Sequence, residues 1–145
     1  MEIENALKEK FDFLVDKIRV QSDRRIWVDV DQLNLTEVFD YCVKSLLFTH
    51  LAAITGLDEI ATFGVIYHLS KDGKIILNLR THLPKEYAIL KSVYDHFPCA
   101  ENYERELEDL LGIKVNGLPE GRHYPLPEDW PKGEYPLRKD WSEKK

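Results

Sequence analysis

Nothing restricts the fold of this chain as strongly as the composition of its last thirty-three residues. Pro119, Pro125, Pro127, Pro131 and Pro136, five of its seven prolines, fall there with Gly117, Gly121 and Gly133. Proline lacks a backbone donor and clashes with the preceding helical turn, so no helix or central strand survives that density. The same stretch carries Tyr124, Leu126, Trp130, Tyr135, Leu137 and Trp141. Linkers and disordered segments are poor in such groups because they have nothing to bury them against. The tail therefore reads as an extended strap whose aromatics dock on a surface, most of it belonging to a partner protein.

The remainder is a globular domain. A chain of 145 residues with 43% apolar and 11% aromatic residues is long enough to close one core. Its net charge of -6 argues against nucleic acid as the main partner. The longest apolar runs, 43–48 (broken by Lys44) and 51–57, fall short of the roughly 18–20 residues that span a bilayer. The first ten residues lack the apolar stretch of a signal peptide, and an intracellular setting is expected. Cys42 and Cys99 suit reduced, apolar core positions.

Periodicity supplies the elements. Ile3, Leu7, Phe11, Leu14, Val15 and Ile18 recur at helical spacing, predicting a helix over 2–19. Residues 25–30 alternate as a strand, with Ile26, Val28 and Val30 on one side. Asn34 and Thr36 offer caps to a helix whose face is Val38, Cys42 and Leu46. Strands are expected over 51–54, before a loop at Gly56, and over 62–69 and 74–81, the last two joined at Asp72-Gly73. Pro84 opens a predicted helix striped by Tyr87, Leu90, Tyr94 and Phe97, which Pro98 ends. A further helix runs through 102–111 to a stop at Gly112. The expected class is α+β: a single, mainly antiparallel sheet with helices packed against it, residues 1–112, then the Pro-rich strap, 113–145.

Two catalytic readings are weak. Asp95, His96 and Cys99 place an acid, an imidazole and a thiol within five residues, but His96 and Cys99 straddle a helix-ending proline. A buried thiol beside a helix C-terminus is the plainer expectation. None of His50, His68, His82, His96 and His123 stands at a spacing that pairs two metal ligands on one helix face. His68 and His82 approach each other at most across the hairpin. A free-standing binding module is the third class, although the first helix carries charge around most of its circumference.

The segment TFGVIYHLSKDGKIILNLRTHLP, the block YERELEDLLGIKVNGLPEG and PLRKDW together resemble the 30 kDa subunit family of respiratory complex I, the C-type subunit of NADH:quinone oxidoreductases. That family includes the equivalent subunit of membrane-bound, energy-converting nickel–iron hydrogenases. The resemblance covers about residues 60–141 and is sharpest at Glu104-Arg105-Glu106 followed by Asp109 and Leu110-Leu111-Gly112-Ile113. It implies a non-catalytic, cofactor-free peripheral subunit on the cytoplasmic side of an oxidoreductase complex that translocates ions. The partners it implies are a large catalytic subunit and a small iron–sulfur subunit, with iron–sulfur clusters and a nickel–iron centre held there. Gly117-Leu118-Pro119-Glu120 stands where many members have Gly-His-Pro-Asp, and Arg122-His123 replaces the usual Arg pair. The absent histidine and the short length favour a hydrogenase-like parent over a quinone-reducing one.

On a helix, Arg105 has Asp109 as a partner four residues on, leaving Glu104 or Glu106 to face outward. Arginine can hold a carboxylate through two parallel bonds, and Arg and Trp dominate desolvated interfaces. Glu104, Arg105, Glu106, Trp130, Arg138, Asp140 and Trp141 are accordingly the expected partner-binding residues.

Overall fold

The computed structural model describes residues 2–121 and 123–143. The chain runs α1 (Glu2–Lys10), β1 (Ile18–Ser22), β2 (Arg25–Asp29), α2 (Leu35–Lys44), β3 (His50–Asp58), β4 (Thr62–Lys71), β5 (Ile75–Pro84), β6 (Ile89–Lys91), α3 (Ala100–Glu106) and β7 (Lys114–Asn116). Five strands form one sheet in the order β1-β2-β5-β4-β3, and β6 and β7 form a separate parallel pair. All pairings in the large sheet are antiparallel except β2 with β5. This is the expected α+β class with a mainly antiparallel sheet.

The hairpin between β4 and β5 follows from period-two alternation closed by Asp72-Gly73, both in the left-handed region at φ 54° and 66°. The inward face stacks Ile26 and Val28 of β2, Leu77, Leu79 and Leu83 of β5, and Phe63, Val65, Tyr67 and Leu69 of β4, all buried. Leu7, Val38 and Phe39 from the helices are buried in the same core. Phe39 meets Tyr67 and Phe97 edge-on, with ring centroids 5.4 and 6.0 Å away.

Four local expectations are corrected. The first helix stops at Lys10, where Phe11 turns extended (φ -129°, ψ 101°), and residues 18–22 pair with β2 as the edge strand β1. The β-branched residues Ile18 and Val20 gain a sheet partner there, and Val15, which continued the apparent stripe, is exposed. The helix expected after Pro84 is absent: Lys85–Tyr87 form a single 3-10 turn and Ile89–Lys91 pair with β7. Long-range strand pairing outweighs a stripe whose first residue, Tyr87, is exposed. Asn34 occupies the cap of α2 without bonding through its side chain. Strand β3 runs through Gly56 instead of ending there. A Cβ at Gly56 would lie 2.6 Å from Leu107 Cδ2 and 2.7 Å from Leu111 Cδ1, so this glycine lets the last helix lie directly on the strand.

That last helix continues from α3 into a π-helical turn, Leu107–Leu111, and ends at Gly112 with φ 76°. Among the described residues no helix is long and apolar enough to cross a membrane.

Candidate partner-binding surface

The Glu-Arg-Glu triplet sits on α3 with its members facing three ways. Glu104 is 1% exposed; its carboxylate accepts from Ser92 Oγ (2.7 Å) and the Val93 backbone N–H (3.0 Å). Burial raises its pKa against the opposing pull of those two bonds. Glu104 therefore anchors the 92–93 loop and does not face outward in this chain. Arg105, also buried, donates to Glu101 Oε1 through Nε (3.3 Å) and Nη2 (2.9 Å) and to the Pro119 carbonyl. Its ionic partner lies one turn before it, correcting the expected pairing with Asp109. Glu106 remains half-buried without an ion pair among the described residues.

Asp109 is taken by the strap: Oδ1 accepts from His123 Nδ1 (2.9 Å) and Oδ2 from the Leu126 N–H (3.3 Å). The bond from Asp109 raises the pKa of His123, so the pair strengthens once the imidazole is charged. Further along, the strap returns to the same helix. Leu137 N–H donates to Leu110 O (2.9 Å) and Arg138 Nε to Leu111 O (2.7 Å), satisfying carbonyls left open at the helix end. The Arg138 guanidinium lies over Tyr135 (4.5 Å) and Phe63 (5.2 Å). Arg138 thus grips the helix terminus of its own chain, where a partner carboxylate was expected. Lys139 N–H donates to Asp58 Oδ2 (2.8 Å), a carboxylate already holding Lys85 Nζ (2.7 Å) and the Ile60 N–H (2.8 Å). Lys85 first, then the Lys139 N–H, draw the Asp58 pKa down to about 2.

Trp130 and Trp141 pair with each other, their rings 6.0 Å apart and tilted 35°, and both remain half-buried. Trp130 Nε1 donates to Glu134 O (2.8 Å), and Asp140 is exposed. A groove of about 440 Å³ opens between helix and strap, lined by Arg105, Glu108, Asp109, His123, Trp130 and Tyr135 among others. The structure thus brings Arg105, Trp130, Arg138 and Trp141 toward one end of the molecule. Asp58 and Phe63, which help join that surface together, were not legible as site residues. Asp58 signals only as an acid at a strand end and Phe63 only as an apolar strand residue, whereas Asp109 stood in the motif but as a partner for Arg105.

The catalytic readings gain no geometry. Cys42 is buried, and burial pushes its thiol up to about 12. Cys99 is exposed, against expectation, and stands directly before α3 at its N-cap position. His96 Nε2 is bonded to Asp40 Oδ1 (2.6 Å). His68 is held by Thr55 (2.8 Å) and Asn78 (2.6 Å), while His82 pairs with Glu59 (2.8 Å), so the two do not meet. Among the described residues no three His, Cys, Asp or Glu side chains converge as metal ligands.

The C component of the F(420)H(2) dehydrogenase of Methanosarcina mazei is 34% identical over 94% of this chain and 87% of its own length. The membrane-bound hydrogenase subunit beta of Pyrococcus furiosus is 27% identical over 95% of this chain and 83% of its own. Formate hydrogenlyase subunit 5 of Escherichia coli is 34% identical over 79% of this chain, yet that match occupies only 22% of the longer protein. Among solved structures, a chain of the archaeal membrane-bound sulfane sulfur reductase superposes with a TM-score of 0.85 at 25% identity, covering 97% of this chain and 84% of that one. A trypsin-resistant fragment of Nqo5 superposes at 0.70 with 27% identity, covering 83% of this chain and all of that one. The family described as respiratory-chain NADH dehydrogenase, 30 Kd subunit, matches residues 28–145, and the chain belongs to it.

Proposed function

We propose that this chain is a non-catalytic, peripheral scaffold subunit of a membrane-bound, complex I-related oxidoreductase, docked on the large catalytic subunit through its strap and last helix. One observation carries the reading. In the two archaeal relatives the same module makes up 87% and 83% of a short polypeptide, whereas in Escherichia coli formate hydrogenlyase subunit 5 it occupies 22% of a longer one. A module that stands alone in some relatives and is covalently joined to a larger body in others is one that works against that body. For this chain, that body is the large catalytic subunit, against which the strap and last helix would pack.

The energy-converting hydrogenase type is the favoured parent, because a membrane-bound hydrogenase subunit is matched nearly end to end. A quinone-reducing NADH dehydrogenase is the second reading, favoured by 42% identity over 80 residues to the NADH-quinone oxidoreductase C/D protein of Aeromonas hydrophila. In either case the redox groups, iron–sulfur clusters and a nickel–iron centre where present, reside on partner subunits, including a small iron–sulfur subunit. The chain reaches the cytoplasmic face of the membrane only through them. Glu106, Trp130, Asp140 and Trp141 face the partner, while Glu104, Arg105 and Arg138 hold the surface in shape.

Purification of the tagged chain from native membranes in mild detergent tests this. A large catalytic subunit should co-elute in equimolar amount, and its identity distinguishes the two parents. Elution of the chain alone, as a monodisperse species from membranes and cytosol alike, would overturn the assignment.

A further inference from the structure

The connection between β3 and β4 spans three residues, Glu59, Ile60 and Ala61, and its centre is strained. Ile60 has φ 75°, and the Ala61 N–H closes on the Glu59 carbonyl at 3.0 Å. A three-residue turn centred on positive φ is the rare, strained form of γ-turn. A β-branched residue is the poorest choice for it, since its side chain crowds the backbone in the left-handed region. Glycine or asparagine would sit there at little cost. Ile60 is also 71% exposed, so no core packing offsets the strain. The other exposed aliphatic with positive φ, Leu47 at 63°, has a local explanation: it follows α2, where Phe48 N–H bonds back to Cys42 O at 3.0 Å to cap the helix. Ile60 caps nothing.

The turn is also held firmly from both sides. Asp58 Oδ1 accepts the Ile60 N–H, and its other oxygen holds Lys139 of the strap. Glu59 binds Arg80 (2.6 Å) and His82 (2.8 Å). One carboxylate therefore joins the turn to the strap, holding the exposed Ile60 next to the Lys139 attachment. Strain and exposure at Ile60 coincide on a firmly braced turn, and such outliers persist where a function requires them.

We infer that Ile60 is a rigid aliphatic knob that seats in an apolar socket of the large subunit. The inference rests on the scaffold reading above. Its occupant follows from continuity with the strap surface and from the longer body joined to this module in the Escherichia coli protein.

Binding of the full chain to the co-purified large subunit, measured alongside the thermal midpoint of the free chain, tests this. I60N and I60G should raise the free chain's midpoint by a few degrees, because they relieve the turn. The same variants should weaken binding by about tenfold or more. I60L should keep most of the affinity. L47N, at the opposite end of β3, should leave binding unchanged. If wild type binds and I60N binds equally well, the knob is wrong while the scaffold reading stands. The knob is equally wrong if I60N lowers the midpoint and binding together, since Ile60 would then be structural. If wild type itself does not bind, the scaffold reading fails.

Discussion

Asp58 to Asn is the substitution that most directly probes how the strap is fixed. Asp58 closes β3 with its side chain almost wholly buried, and its two oxygens serve three donors: Lys85 Nζ, the Ile60 N–H and the Lys139 N–H. Its pKa, drawn from 3.8 to about 2, corresponds to about 2 kcal/mol favouring the folded, ionised state at neutral pH. Asparagine keeps the shape but offers one acceptor where two are needed and turns an amide toward a donor. We therefore expect a loss of about 2–3 kcal/mol at pH 7 by urea unfolding. The pH dependence has a definite sign. A depressed carboxyl stabilises above its unfolded pKa and loses that contribution as pH falls through the folded one. About half of the wild-type advantage should be gone by pH 3 and most by pH 2, so the two unfolding curves converge on acidification. Exchange of the Lys139 amide should also accelerate in the variant at pH 7. A gap under about 0.5 kcal/mol at pH 7, or one that does not narrow between pH 7 and 3, would refute the argument.

Two further outcomes follow from the same geometry. Arg138→Ala removes the Leu111 carbonyl bond and the stacking on Tyr135 and Phe63, and should destabilise the free chain by about 1–3 kcal/mol in denaturant while freeing residues past 117 to proteolysis; Arg138→Lys should recover little of this. Gly56→Ala sets a methyl 2.6–2.7 Å from Leu107 and Leu111 and should cost about 1–3 kcal/mol in thermal unfolding, with cavity-making Leu111→Ala partly compensatory in the double variant.

The parts of the fold legible from sequence were those whose signal is local. Alternation over β4 and β5 with Asp72-Gly73 between them specifies a hairpin within twenty-odd residues, and Gly112 ends a helix by its own backbone freedom. The misread elements depend on distant partners. Ile18 reads as helix until β2 pairs with it, and Ile89–Lys91 become a strand only when Lys114–Asn116 arrive beside them. The same distinction governs the site. Clustered aromatics mark the strap as ordered, but the inward turn of Glu104 depends on the 92–93 loop, and that of Arg138 on a helix end twenty-seven residues away. Asp58 was the least visible of all, because its partner Lys139 is 81 residues along the chain.

How the strap is held bears on what it is for. None of the described residues after Val115 is buried, although six large aromatic or aliphatic side chains follow it from Tyr124 onward. Hydrophobic burial is therefore only partial in this segment. Its position comes from polar attachments to the core: Pro119 on Arg105, His123 and Leu126 on Asp109, Leu137 on Leu110, Arg138 on Leu111 and Lys139 on Asp58. From its sequence the strap is expected to dock its aromatics mostly on a partner protein; within this chain it is tied to the core by these polar attachments. Hydrogen bonds within the chain hold it in place, while the apolar area of Trp130, Tyr135, Leu137 and Trp141 stays partly uncovered. A segment already held in its binding conformation loses less conformational entropy when a partner arrives, so the same buried area yields more affinity. Weakening the attachments should then slow association, whereas trimming the uncovered side chains should chiefly speed dissociation.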